Sequence, residues 1–230
     1  MGEQLQMRIE YKQRSSYQEV NTMLERNLVD LAFICTGAYA EGYRGMDLLV
    51  APTIKGHPYY HALVITHIAS GINRFSDLEG RSFVYTDPLS NTGKLYAQRR
   101  ILEMNRDTAT FFSATTYSVG HDVSIQMVAR NLVDGASVSS IIFQYLDATQ
   151  PQMTRNIRVL EQSELYGAPP IVTSLLLEPE RRAKILEFFT SLHLDAFGRR
   201  ILTNLLVEQF VVVDDTLYDN VREMNEMVWQ

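Results

Sequence analysis

Short apolar runs of strand-like composition recur along this chain, and segments with apolar residues at helical spacing separate most of them. No other feature confines the fold so tightly. LAFICT, MDLLVAPTI, YYHALVITH, RSFVYT, GASVSS, IRVLEQS and IVTSLLL read as strands. SYQEVNTMLERNLV, the stretch from 91 to 105, His121 to Leu132, IIFQYLDATQ, EPERRAKILEFFTSL and TLYDNVREMNEMVW read as helices. Ser15 and Ser16 can cap the first of these, and Pro179 stands where prolines favour a helix start. The alternating QMRIEYK predicts one more strand near the start, and TATFFSATTY another before His121. Strand, helix, strand alternation is the signature of an α/β layer fold.

A chain of 230 residues is long enough for one large or two small domains with a proper core. A formal charge of -6 and a pI near 5.4 argue against a nucleic-acid partner, whose phosphates need clustered Lys and Arg. Cys35 is the sole cysteine, which excludes an intramolecular disulfide and a cysteine-rich metal site, and it reads as a small buried hydrophobe in its strand. No apolar run approaches the roughly 18 to 20 residues of a membrane span, and the N-terminal residues carry no signal-peptide core. Turn-forming punctuation at SGINRFSD and LYGAPP marks two crossings between a pair of lobes. Residues 1–69 and 164–230 then build lobe 1, and 70–163 form an inserted lobe 2.

The stretch DPLSNTGKLY, 87 to 96, joins a strand to a helix through Ser90, Asn91, Thr92 and Gly93. Unbonded N–H groups and the helix dipole favour an anion at such an end, although the same residue types are also ordinary caps. Lys94 reads as an exposed first-turn lysine. Gly120, His121 and Asp122 open another helix, so an imidazole donor lies near a second helix start. Tyr17 opens a helix, and Tyr59 and Tyr60 open a strand; a tyrosine hydroxyl donates to an anion without the desolvation cost of a buried cation. GxSxG, GxxxxGK[ST], HExxH and CxxC are all absent, the 5 histidines are scattered, and Asp214-Asp215 read as a solvated turn. Neither a metal site nor a cofactor is expected, and the chain does not read as an enzyme.

Taken in order, SYQEV, VDLAFICTGAYA, YYHALVI, FSDLEGRSFVYTDPLSNTG, GHDVSIQMVARNLVDGASV, GAPPIVTSLLL and LYDNVREM resemble the phosphate, phosphite and phosphonate class of periplasmic solute-binding proteins of ABC transporters. The resemblance spans nearly the whole chain, and DPxSxTG with GHD at this spacing is more specific than either element alone. It implies a type 2 periplasmic-binding-protein fold, two α/β lobes on a two-crossing hinge, closing on a ligand. It also implies that the first strand and most of the first helix are missing, with an export signal lost alongside them. By carry-over Ser90, Asn91 and Thr92 cradle the ligand oxygens, His121 adds a donor from the same lobe, and Tyr17 and Tyr60 reach across from the other.

The family's Ser-Thr-Ser run is here Ser90-Asn91-Thr92, so the middle contact becomes an amide. Members that take aminoalkylphosphonates place acids opposite the ligand amine. The comparable stretch here offers Ser137, Ser139 and Ser140, which argues against an amine-bearing ligand. The implied function is capture of a phosphonate, phosphite or phosphate in the periplasm or at the cell surface of a bacterium, and its delivery to a membrane permease. The alternative is a ligand-sensing domain of the same fold.

Overall fold

The structure, a computed structural model, describes residues 2–5 and 7–229. Its contacts divide the chain into two compact units, Met1–Tyr59 with Gly167–Asp219, and Tyr60–Tyr166 with Asn220–Gln230. Elements α1 (Gly2–Leu5), α2 (Tyr17–Glu25), β1 (Leu31–Phe33), α3 (Thr36–Gly42) and β2 (Met46–Thr53) open the first unit. Strand β3 (Tyr59–Tyr60) carries the chain into the second, which continues through β4 (Ala62–His67), β5 (Ser82–Tyr85), α4 (Tyr96–Glu103) and β6 (Ala114–Tyr117). It is completed by α5 (His121–Ala129), β7 (Gly135–Ser139), α6 (Ser140–Thr149) and β8 (Ile157–Gln162). Strand β9 (Tyr166–Gly167), paired with β3, leads back to β10 (Ile171–Ser174), α7 (Pro179–Ser191), α8 (Ala196–Asn204), β11 (Gln209–Val211) and α9 (Asp219–Trp229).

In the first unit the sheet runs β1-β10-β2-β11, antiparallel throughout. Leu49, Val50, Ile171, Leu177 and Ile185 form a core cluster there, where α7 lays its apolar face on the sheet. Helix α2 begins where its cap predicts, with Ser16 Oγ accepting the Glu19 N–H at 3.3 Å. The expected strand QMRIEYK does not form over Met7–Lys12, and its first residue, Gln6, lies outside the described residues. Ile9 and Tyr11 are 50% and 84% exposed; alternation alone makes no strand without a neighbouring edge to pair with. Helix α8 and strand β11 lie in FGRRILTNLLVEQFVVV, whose near-continuous apolar residues fit either period and so gave no assignment. Cys35 is buried, one residue beyond Ile34, as the N-cap of α3 rather than within the strand. Asp214 caps the turn after β11 through the Thr216 N–H at 2.9 Å, and Asp215 accepts the Tyr39 hydroxyl at 2.5 Å, so this pair is more than solvated surface.

The second unit is built on a sheet of order β6-β5-β7-β4-β8. Strands β5, β6 and β7 are parallel, and β4 runs against both β7 and β8. On one face Leu63, Ile65, Val84, Ala136 and Val138 pack against Ile125, Val128 and Leu146 of α5 and α6. Because side chains alternate along β5, Phe83 and Tyr85 serve the opposite face, where Phe83 stacks on Phe112 at 4.2 Å.

The unit boundaries differ from the crossings near 70 and 163 that the punctuation suggested. They fall at Tyr59–Tyr60 and Tyr166–Gly167, so Tyr60 belongs to the second unit. A third change, at Asp219–Asn220, sends α9 there as well, whereas residues 164–230 were expected to stay together. The reason lies in α9 itself. Its buried Val221 and Met224 face this unit, Met224 Sδ accepts from the Tyr166 hydroxyl at 3.8 Å, and Asn220 Nδ2 donates to Leu165 O at 3.0 Å.

Truncating Ile65, which is fully buried in the second-unit core, should cost about 2–5 kcal/mol by transfer and cavity terms. Urea unfolding of Ile65→Ala measures this; a loss below about 1 kcal/mol would show that Ile65 is not a packing centre.

Candidate functional site

Parallel strands release their connections at one edge of a sheet, and the helices that follow point their N-termini there. At the C-terminal edge of β5, β6 and β7 lie the turn into α4, the start of α5 at His121 and the start of α6 at Ser140. All belong to the second unit. So does Tyr60, just before the antiparallel β4, whose Ala62 pairs with Ser139 at the end of β7.

The turn after β5 is a π-turn over Asn91–Leu95, capped by Ser90. Ser90 O accepts from the N–H of both Lys94 and Leu95 at 3.0 Å, while Ser90 Oγ accepts the Gly93 N–H at 3.0 Å. The wide turn leaves the N–H groups of Asn91 and Thr92 without an acceptor among the described residues. Gly93 fits because nothing larger can: a Cβ there would lie 1.6 Å from Thr86 Oγ1 and 2.7 Å from Ser90 Oγ. From the β7 side, the Ser137 hydroxyl donates to Thr92 O at 2.6 Å and pins the turn to the sheet.

Ser90, Asn91 and Thr92 are each 0% exposed. Thr92 Oγ1, Asn91 Oδ1 and Thr86 Oγ1 are buried without a hydrogen-bond partner. Leaving such groups unsatisfied costs about 1–3 kcal/mol apiece, and three of them cluster at this one turn. Asn91 Nδ2 donates to the Tyr60 hydroxyl at 3.2 Å. A half-turn of the amide exchanges the roles: Oδ1 then accepts from Tyr60, and Nδ2 presents its donors in place of the unpartnered oxygen.

His121 is the first residue of α5. Pairing of Ser140 N–H with His61 O turns alternate residues of β7 toward β4, so the Ser139 N–H faces the other way, past the end of β5. It donates there to His121 Nδ1 at 3.2 Å. Nδ1 is therefore an acceptor, and the proton of the neutral ring sits on Nε2 as a donor. Burial pushes the imidazole pKa down to about 4, against the opposing pull of Asp122. Val119, two residues earlier, has φ 69°, a strained conformation for a β-branched residue, and its N–H is held by Thr86 O at 2.9 Å. The strain sits in the link between the end of β6 and His121.

The structure thus brings Ser90, Asn91, Thr92 and Tyr60 together and sets His121 at the same sheet edge. Tyr60 approaches Asn91 from within the unit and not from the other lobe, because the strand it precedes belongs to this sheet. Tyr17 is the first residue of α2 in the first unit. Ser137 and Ser140 are engaged: one holds the turn, and the other accepts the His61 N–H at 3.0 Å. Sequence reasoning missed Thr86, whose only signal was its place at the strand end before DPLSNTG. It also misjudged Lys94, which is buried, not exposed, at 8% exposure. Its side chain is covered by the rings of Tyr117 and of Trp229, far away in the sequence.

A pKa lowered from 6.5 to about 4 means that the fold favours the neutral ring. The stability this confers is fully present above the unfolded value and is lost as pH falls from about 6.5 toward 4. NMR titration should therefore show the His121 ring as the Nε2–H tautomer with a midpoint near 4. A midpoint above 6, or the other tautomer at neutral pH, would contradict the geometry.

A family model described as ABC transporter, phosphonate, periplasmic substrate-binding protein matches residues 1–218. The phosphonates-binding periplasmic protein of Escherichia coli is 28% identical over 170 residues, covering 71% of this chain and 50% of that protein. The chain thus spans about half the length of this curated relative. Among solved structures, a binding protein component of an ABC phosphonate transporter from Pseudomonas aeruginosa matches with a TM-score of 0.92 at 23% identity, over 99% of this chain and 78% of that one. A Prochlorococcus marinus protein in complex with methylphosphonate matches with a TM-score of 0.88 at 14% identity, over 99% and 88%. These structural likenesses establish the type 2 periplasmic-binding fold. With the family model covering nearly its whole length, the chain belongs to the phosphonate periplasmic substrate-binding protein family of ABC transporters.

Proposed function

We propose that the turn after β5 binds a small phosphorus oxyanion, of the phosphonate, phosphite or phosphate type, and that the protein is the solute-binding component of an ABC importer acting in the periplasm with a membrane permease. One observation carries the reading: fully buried, unpartnered Thr92 Oγ1 and Asn91 Oδ1 stand beside two unused N–H groups at a turn that excludes any side chain at Gly93. A tetrahedral oxyanion takes several donors at once and exchanges its water for fixed dipoles. Ser90, Thr92 and the Asn91 amide supply donors on one side, and the neutral His121 supplies its Nε2–H. Tyr60 orients Asn91, and Tyr17 stays in the proposal as a hydroxyl donor on the strength of the resemblance alone. The family's description speaks for transport over sensing. Among the described residues no helix is long and apolar enough to cross a membrane.

Titration calorimetry with methylphosphonate, phosphite, phosphate and sulfate tests this. Binding of at least one phosphorus oxyanion is expected; rejection of all three by the folded protein defeats the proposal. Thr92→Ala and His121→Ala should each weaken binding by about 1.5–3 kcal/mol, the worth of one hydrogen bond to a charged group. Asn91→Asp should weaken it a hundredfold or more, on the order of the several kcal/mol that like charges cost in contact. Unchanged affinity in all three would mean the cradle lies elsewhere.

A further inference from the structure

We infer that Lys94 supplies the counter-charge for the bound anion, a full positive charge in a site otherwise made of neutral donors. The inference rests on the proposed reading of the turn and deepens it. Lys94 is part of the π-turn itself, since its N–H donates to Ser90 O at 3.0 Å. Its side chain is buried, with the ammonium 4.8 Å from the ring centroid of Trp229 and 5.7 Å from that of Tyr117. Among the described residues no carboxylate pairs with it, whereas Arg99 and Arg100, just beyond it in α4, are tied to Glu103, Glu161 and Glu164.

The choice of partners decides what the charge can do. A carboxylate beside the ammonium would cancel its field. Two aromatic faces hold the cation through their quadrupoles while adding no net negative charge. A lysine stem is short enough that the charge stays on the order of 10 Å from an anion held by the residues just before it in the same turn. At that distance, with the effective dielectric of about 20 that applies near a protein surface, one charge acting on a phosphorus oxyanion is worth about tenfold in affinity. Trp229 then has a role in binding without touching the ligand: α9 brings its ring over Lys94, which holds the ammonium in place.

Calorimetry on the full chain with methylphosphonate, beside thermal unfolding of each variant, tests the inference. Lys94→Met and Lys94→Gln should lose about tenfold in affinity. Lys94→Arg, which keeps the charge, should stay within about threefold of the unsubstituted protein. If Lys94→Met fails to fold, Lys94→Gln carries the comparison, and Lys94→Arg separates charge from packing in either case. Affinity of the neutral variants within twofold of the unsubstituted protein would overturn the role of Lys94 and leave the reading of the turn standing. So would an arginine variant as weak as the neutral ones. No binding of methylphosphonate, phosphite or phosphate by the unsubstituted protein would overturn both.

Discussion

The close approach of Gly93 to Thr86 is the constraint on which the site depends. Thr86 ends the strand run, Gly93 lies inside the turn that follows, and their contact leaves no room for a Cβ. The Thr86 N–H also donates to Gly93 O at 3.3 Å, so side chain and backbone together fold the loop back on the strand end. From that closure follow the width of the turn, the double use of Ser90 O and the outward N–H groups of Asn91 and Thr92. Ser137 fixes the same loop to β7, and Ser139 on that strand fixes His121. One central strand thereby holds two donor groups in a common frame. Rigid support of this kind is what lets neutral donors replace the hydration of an anion without reorganising.

Much of this was legible in the residues. The strand runs and helical periods gave nearly every element that bears on the site, because each is an apolar pattern read over several residues. The turn was legible from DPLSNTG, since a proline, small polar residues and a glycine between strand and helix admit few backbone paths. What escaped was decided by distant contacts. Lys94 is buried because α9 brings Trp229 over it. Tyr60 joins the cradle's own unit because β4 pairs with β7 and β8. Met7–Lys12 show the converse: a local pattern without a neighbour to satisfy it stays unpaired.

Electrostatics divides the site into two parts with different jobs. Hydroxyls, an amide, backbone N–H groups and a neutral imidazole give direction, because each must face its oxygen to be worth anything. Lys94 gives charge without direction. Desolvation keeps His121 uncharged by pushing its pKa down to about 4. Asp87, a buried carboxylate in the same loop, accepts the Leu89 N–H at 2.8 Å.

Determination of a crystal structure grown with methylphosphonate addresses the central claim most directly. The account predicts phosphonate oxygens within hydrogen-bond distance of Thr92 Oγ1 and of the Asn91 and Thr92 N–H groups, with the Asn91 amide turned to donate. A phosphonate seated elsewhere, with Thr92 Oγ1 still unpartnered, would contradict it.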